Sequence, residues 1–142
     1  MATNWGDAFL TAVRTVLVAI PSLPTTRAWM NTTVQPSVMA PFIADRVVAF
    51  DSVPSACGPG ANKRRTVAYQ VIISWPVGQD GFDTLTMSAA IEDAFQAATE
   101  AGTMTITGGD PIELVSVRGG PMQEPPERLL YPVTLVLQFD HP

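Results

Sequence analysis

The sequence predicts an α+β chain, folded as a two-layer α/β sandwich with a four-stranded, mainly antiparallel sheet against two helices. Three observations predict it. Two stretches place apolar residues at three- and four-residue spacings, as a helix with one buried face requires. Several stretches alternate apolar and polar residues, as strands with one buried face require. Thirteen prolines fall largely between these stretches and mark the connections. The order is helix, strand, strand, helix, strand, strand. The length of 142 residues suits a single domain over 1–142.

Residues 4–20 read as the first helix, with Trp5, Phe9, Ala12, Val13, Val16, Leu17 and Ile20 on one face. Asn4 can cap it, Asp7 favours its dipole, and Pro21 ends it because the residue before proline leaves the α region. Residues 21–41 carry four prolines and read as a long connection, with a short extended piece around Arg27–Asn31. Residues 42–51 alternate, with Phe42, Ala44, Val48 and Phe50 on one face and Arg46 the exception. A loop over 52–65 follows and ends in the basic run Lys63-Arg64-Arg65. Residues 66–75 form a second strand, with Val67, Tyr69, Val71, Ile73 and Trp75 on one face. Residues 84–99 form a second helix on Met87, Ala90, Ile91, Ala94, Phe95 and Ala98, capped by Asp83 or Thr84 and stopped by Gly102. Residues 111–118 and 130–139 are the last two strands, the latter with Tyr131, Val133, Leu135, Leu137 and Phe139 on one face. The loop between them holds Gly119, Gly120, Pro121, Pro125 and Pro126. Each strand pair is expected to form a long hairpin.

Charged residues are only 15% of the chain against 46% hydrophobic, which fits a surface partly covered by a neighbouring subunit and also fits a charge-poor monomer. The formal charge of −5 argues against gripping nucleic acid, which needs clustered Lys and Arg, but allows a channel that DNA slides through. The single cysteine, Cys57, excludes an intrachain disulfide and a multi-thiolate zinc site. The apolar run from Ala8 to Ile20 is broken by Arg14, lacks a basic start, and is too short to span a bilayer. Asn31-Thr32-Thr33 matches a glycosylation acceptor by chance.

The search for chemistry yields no catalytic, cofactor-binding or metal-binding residues. His141 sits one residue from the C-terminus, where chains are usually disordered, and Cys57 has no base beside it. Gly58-Pro59-Gly60-Ala61-Asn62-Lys63 starts like a phosphate-binding fingerprint, then lacks the last glycine and leads into a strand. Lys63, Arg64 and Arg65 read either as a solvated strand edge or as a docking point for an acidic surface. Asp80, Asp83, Glu92, Asp93 and Glu100 lie in a stretch without basic residues, and read as a solvated helix face or as the complement of that basic run on another copy. Trp5 and Trp75 belong to the core pattern, and Trp29, in irregular chain, is the candidate interface anchor.

Several segments together resemble the tail terminator proteins of long-tailed bacteriophages and related gene-transfer particles. They are Ala28-Trp29-Met30-Asn31, Pro36, Pro41-Phe42-Ile43, Arg64-Arg65 leading into Tyr69-Gln70-Val71-Ile72-Ile73, Pro76 through Phe82, Ala94-Phe95, and Tyr131 through Leu137. With the first helix they cover nearly the whole chain; no single motif is specific, and the order and spacing carry the resemblance. It implies an α/β sandwich without catalytic residues that forms a hexameric ring on the head-proximal end of the tail tube. Such a ring stops tube polymerisation, joins the tail to head-completion (stopper) proteins, and lets DNA pass through its pore without specific binding. It implies no cofactor and no membrane, and a virion protein made in the host cytoplasm. One of the two long excursions, Lys63–Arg65 or Gly119–Glu127, is expected to reach the tube or the adjacent subunit, with Arg118 and Arg128 fixing the base of the second. The interface candidates are therefore Trp29, Lys63, Arg64, Arg65, Asp80, Asp83, Arg118 and Arg128. Other readings are another ring protein of the head–tail connector, a small cytoplasmic ligand-binding or enzymatic α+β domain, and a nucleic-acid-binding module. The last two lack, respectively, a polar cluster to furnish a site and a basic, aromatic-studded strand.

Overall fold

The computed structural model describes residues 5–30, 40–54, 63–78, 82–106, 110–125 and 128–141. The elements are α1 (Trp5–Val18), β1 (Arg27–Ala28), β2 (Phe42–Pro54), β3 (Lys63–Pro76), α2 (Thr84–Ala101), β4 (Glu113–Gly119) and β5 (Arg128–His141). The sheet has five strands in the order β1-β2-β3-β5-β4. Four strands are antiparallel as expected, and β2–β3 and β4–β5 are the two expected pairs. The fifth, β1, falls in the short extended piece read around Arg27. It lies parallel to β2, with Arg27 opposite Ile43 and Ala28 opposite Ala44, so the sheet is mixed.

Both helices pack on one face of the sheet through the stripes that their spacing predicts. Phe9, Val13 and Leu17 of α1 and Met87, Ile91 and Phe95 of α2 share one core with Val67, Tyr69, Val71 and Ile73 of β3 and Val133, Leu135 and Leu137 of β5, all buried. Each such side chain contributes roughly 1.5–3 kcal/mol by leaving water. Phe9 and Phe139 stack at 5.7 Å, and Phe9 meets Tyr69 edge-on at 6.1 Å. Of the two candidate caps of α2, Asp83 takes the place: it stands in extended conformation and its carboxylate accepts from the Thr86 N–H at 3.0 Å. Gly102 ends α2 in the left-handed region at φ 66°, where the Thr103 N–H returns to the Ala98 carbonyl at 3.1 Å. Beyond it Met104, Ile106 and Ile112 are buried, an extension of the core that periodicity does not reveal.

β2 corrects the sequence reading. Its inward residues are Ile43, Asp45 and Val47, opposite Ile73, Val71 and Tyr69, whereas Phe42, Ala44 and Arg46 line the other face. Between Val47 and Ala49 the register shifts, so Val48 is an inserted residue and parity reverses. Phe50 thus returns to the helix side, opposite Val67 and 5.8 Å from the Trp5 ring. β4 shifts likewise between Leu114 and Ser116, with Val115 inserted. The two bulges flank a single rung, Ala49–Ala68–Val136–Ser116. β2 and β3 also extend further than expected: the pairing continues to Pro54 and Lys63, which makes Lys63-Arg64-Arg65 the start of a strand and not the end of a loop.

Candidate assembly surfaces

Asp45 is the buried charge around which the first third of the chain is organised. It is 5% exposed, on the helix side of β2. Its carboxylate accepts from Arg14 Nε at 2.7 Å and Nη2 at 3.1 Å, from the Met30 N–H at 2.7 Å, and from the Tyr69 hydroxyl at 2.6 Å. Four donors satisfy both oxygens, which is what a buried carboxylate requires. Burial first, and then the Asp45 carboxylate, push the Tyr69 phenol above its ordinary pKa, so it stays a neutral donor. Desolvation works against the Arg14 charge, but the hydrogen bonds and charge of Asp45, together with Tyr69, outweigh it and hold the guanidinium more firmly protonated than usual. The guanidinium also lies 5.1 Å from the Trp29 ring centroid. Trp29, the candidate interface anchor, is half-buried and packs at the rim of the core. Arg14 and Asp45 are absent from the sequence-derived candidates. Their signal is a lone cation in one apolar run and an acid at an inward position of another.

The other candidates separate. Lys63, Arg64 and Arg65 do not form one patch, because neighbouring residues in a strand point to opposite faces. Arg65 turns to the helix side, 4.9 Å above the Trp5 ring. Arg64 pairs with Asp140 across the strands, both bonds at 3.2 Å. That pair, with the charge of Asp140, holds Arg64 above its ordinary pKa. Asp83 is occupied as the α2 cap, and Thr86 holds its carboxyl below the usual range through a backbone and a hydroxyl bond. Arg118 lies exposed in β4 opposite Thr134. Arg128 donates from Nε to Ser74 Oγ at 2.6 Å and from Nη2 to the Ala40 carbonyl, and sits 4.6 Å over the Phe42 ring. It ties β5 to β3 and to the chain entering β2, which is wider than the loop base expected of it, and its burial lowers its pKa. His141 is no loose end: it pairs in β5 with Lys63, and its Nδ1 lies 2.9 Å from Asp110. Asp80, Cys57, Asn4, Pro36, the glycosylation-like triplet and most of the glycine-rich run lie outside the described residues.

Two larger surfaces remain. On the face of the sheet away from the helices, one rung is a polar ladder: Arg46 Nε donates to Gln70 at 2.7 Å, Gln70 donates to Thr134 at 3.1 Å, and Arg118 follows in register. Another rung ends in Asp51 and Glu113. On the helix side, an open apolar groove of about 570 Å³ runs between α1 and α2. Ala12, Val16, Ala94, Ala97 and Ala101 form much of it, with Thr15, Thr103 and Thr105 also lining it. Among the described residues no group of three His, Cys, Asp or Glu could hold a metal ion, and no helix is long and apolar enough to cross a membrane.

Two helices over one face of a mixed five-stranded sheet place the chain in the α+β class, and a solved structure shares that fold. It superposes with a TM-score of 0.59 over 92% of this chain and 94% of its own, at 19% identity, and its name states no function. No curated protein matches. The family model described as phage tail terminator protein matches residues 7–136, and the chain belongs to that family. It is a structural component of a bacteriophage tail.

Proposed function

We propose that this chain is the terminator itself: a hexameric ring on the head-proximal end of the tail tube that stops tube growth and joins the tail to the head-completion protein. DNA passes through its pore without specific binding, and the subunit is non-enzymatic, made in the host cytoplasm and incorporated into the virion. The observation that carries this reading is the family match over residues 7–136, which spans nearly all of both helices and takes in four strands whole and most of β5. The formal charge of −5 is consistent with a pore to which DNA does not adhere.

The test is mass in solution over a concentration series, by light scattering after size exclusion, with negative-stain imaging, alone and with purified tail tubes. Rings of about six copies, or tubes capped at one end and arrested in length, are expected. A chain that stays monomeric and neither binds nor caps tubes overturns the proposal.

A further inference from the structure

A ring requires two different surfaces of the chain to meet head to tail. The two sheet edges are the obvious pair, but the structure defends both. Each carries a bulge, and the inserted valines, Val48 and Val115, are 52% and 56% exposed. Extending the sheet from β4 of one copy to β2 of the next in its own register sets Arg118 beside Arg46 and Glu113 beside Asp51. Like charges on adjoining strands oppose that contact.

We infer that the groove between α1 and α2 receives the free β2 edge of a second copy, with Phe50 as the side chain that fills it. This inference rests on the ring reading. β1 covers only Ile43 and Ala44, which leaves the outer edge of β2 beyond them without a strand among the described residues. That edge displays Phe50 at 60% exposure on the helix side, and Phe50 is the one exposed aromatic ring among the described residues. The groove is its complement in shape: an apolar floor of alanines and Val16, with room for an aromatic ring. The charges agree. Apart from Arg14, which is turned in to Asp45, the charged residues of the two helices are all acidic, with Glu92, Asp93 and Glu100 on α2. Exposed Lys63, opposite Pro54, lies on the same side of the sheet as Phe50 and supplies the cation that meets these acids; Arg46, Asp51 and Arg64 lie on the other face, and Arg64 is paired with Asp140. Unlike charges orient the encounter, and the apolar contact supplies its strength.

The experiment is mixed-copy cross-linking of the full chain in a Cys57→Ser background, in the presence of tail tubes. One preparation carries Val53→Cys, which leaves Phe50 in place, and the other Ala97→Cys; both positions are exposed, so the fold tolerates them, and circular dichroism checks it. A short bismaleimide is expected to join the two preparations when mixed and neither alone. A second pair, Lys63→Glu and Glu100→Lys, is expected to weaken assembly several-fold singly and to recover it when combined. Rings that form without the mixed cross-link, or that cross-link within a single preparation, overturn the inference and leave the ring standing. Failure of the unsubstituted chain to assemble on tubes overturns the ring reading and the inference with it.

Discussion

The two faces of the sheet each carry an Arg–Asp pair, and the pairs differ in everything except chemistry. Arg14 and Asp45 meet at 2.7 Å with side chains 21% and 0% exposed, and two further donors complete the carboxylate. Arg64 and Asp140 meet at 3.2 Å with side chains 54% and 41% exposed. Water can stand in for either partner of the second pair, but it has no access to the carboxylate of the first. The buried pair therefore holds α1, the Trp29–Met30 segment, β2 and β3 in one arrangement. The exposed pair only decorates a rung that the backbone already holds.

The largest effect is expected of Asp45→Ala. It leaves a guanidinium, a phenol and a backbone N–H without their acceptor, and loses about 3–5 kcal/mol in urea unfolding. Tyr69→Phe removes one of the four donors and costs about 1.5 kcal/mol. The same phenol gives an alkaline signature. Its pKa is raised in the folded chain, so its contribution is complete below the unfolded tyrosine pKa and declines as pH rises above it. In an absorbance titration, the difference between the native chain and Tyr69→Phe should therefore appear only together with alkaline unfolding. Asp83→Ala tests an exposed carboxylate that caps backbone. Its pKa is lowered in the folded state, so the melting-temperature gap between the two proteins should be full above the ordinary carboxylate pKa and close as pH falls through the lowered one. The smallest effect is that of Arg64→Ala, which should leave the melting temperature unchanged at physiological salt.

β3 and β5 are legible in the sequence because both lie in the middle of the sheet and alternate without interruption: Val67, Tyr69, Val71 and Ile73 on one, Val133, Leu135 and Leu137 on the other. β2 is legible as a strand but not in its facing. Alternation assumes no insertion, and Val48 is one. Phe50 does face the helices, but counting back from it by twos assigns Phe42 and Ala44 to the core and makes Arg46 the anomaly. The real anomaly is Asp45, and it is tolerated because Arg14 comes from a helix 31 residues away in sequence to meet it. The basic run resembles a loop base because charge is a local signal. It is strand because Ser52, Val53 and Pro54 on one side, and Phe139, Asp140 and His141 on the other, pair with it.

The interface candidates divide in the same way. Asp83 is legible as a cap because capping is local, set by residues within one turn. Trp29 and Arg128 are legible as residues with a task, but the task itself is not. Their partners, Arg14 for the one and Ser74, Phe42 and Ala40 for the other, come from distant parts of the chain.

Neighbouring residues alone specify the two helices, the two antiparallel strand pairs, the inward faces of the central strands and the resemblance to tail terminators, because periodicity, caps and motif order are written locally. Only the folded chain settles the fifth strand, the facing of β2, the burial of Asp45 and the groove between the helices. Each of these depends on which distant group arrives to satisfy a hydrogen bond or to exclude water, and no local pattern records that.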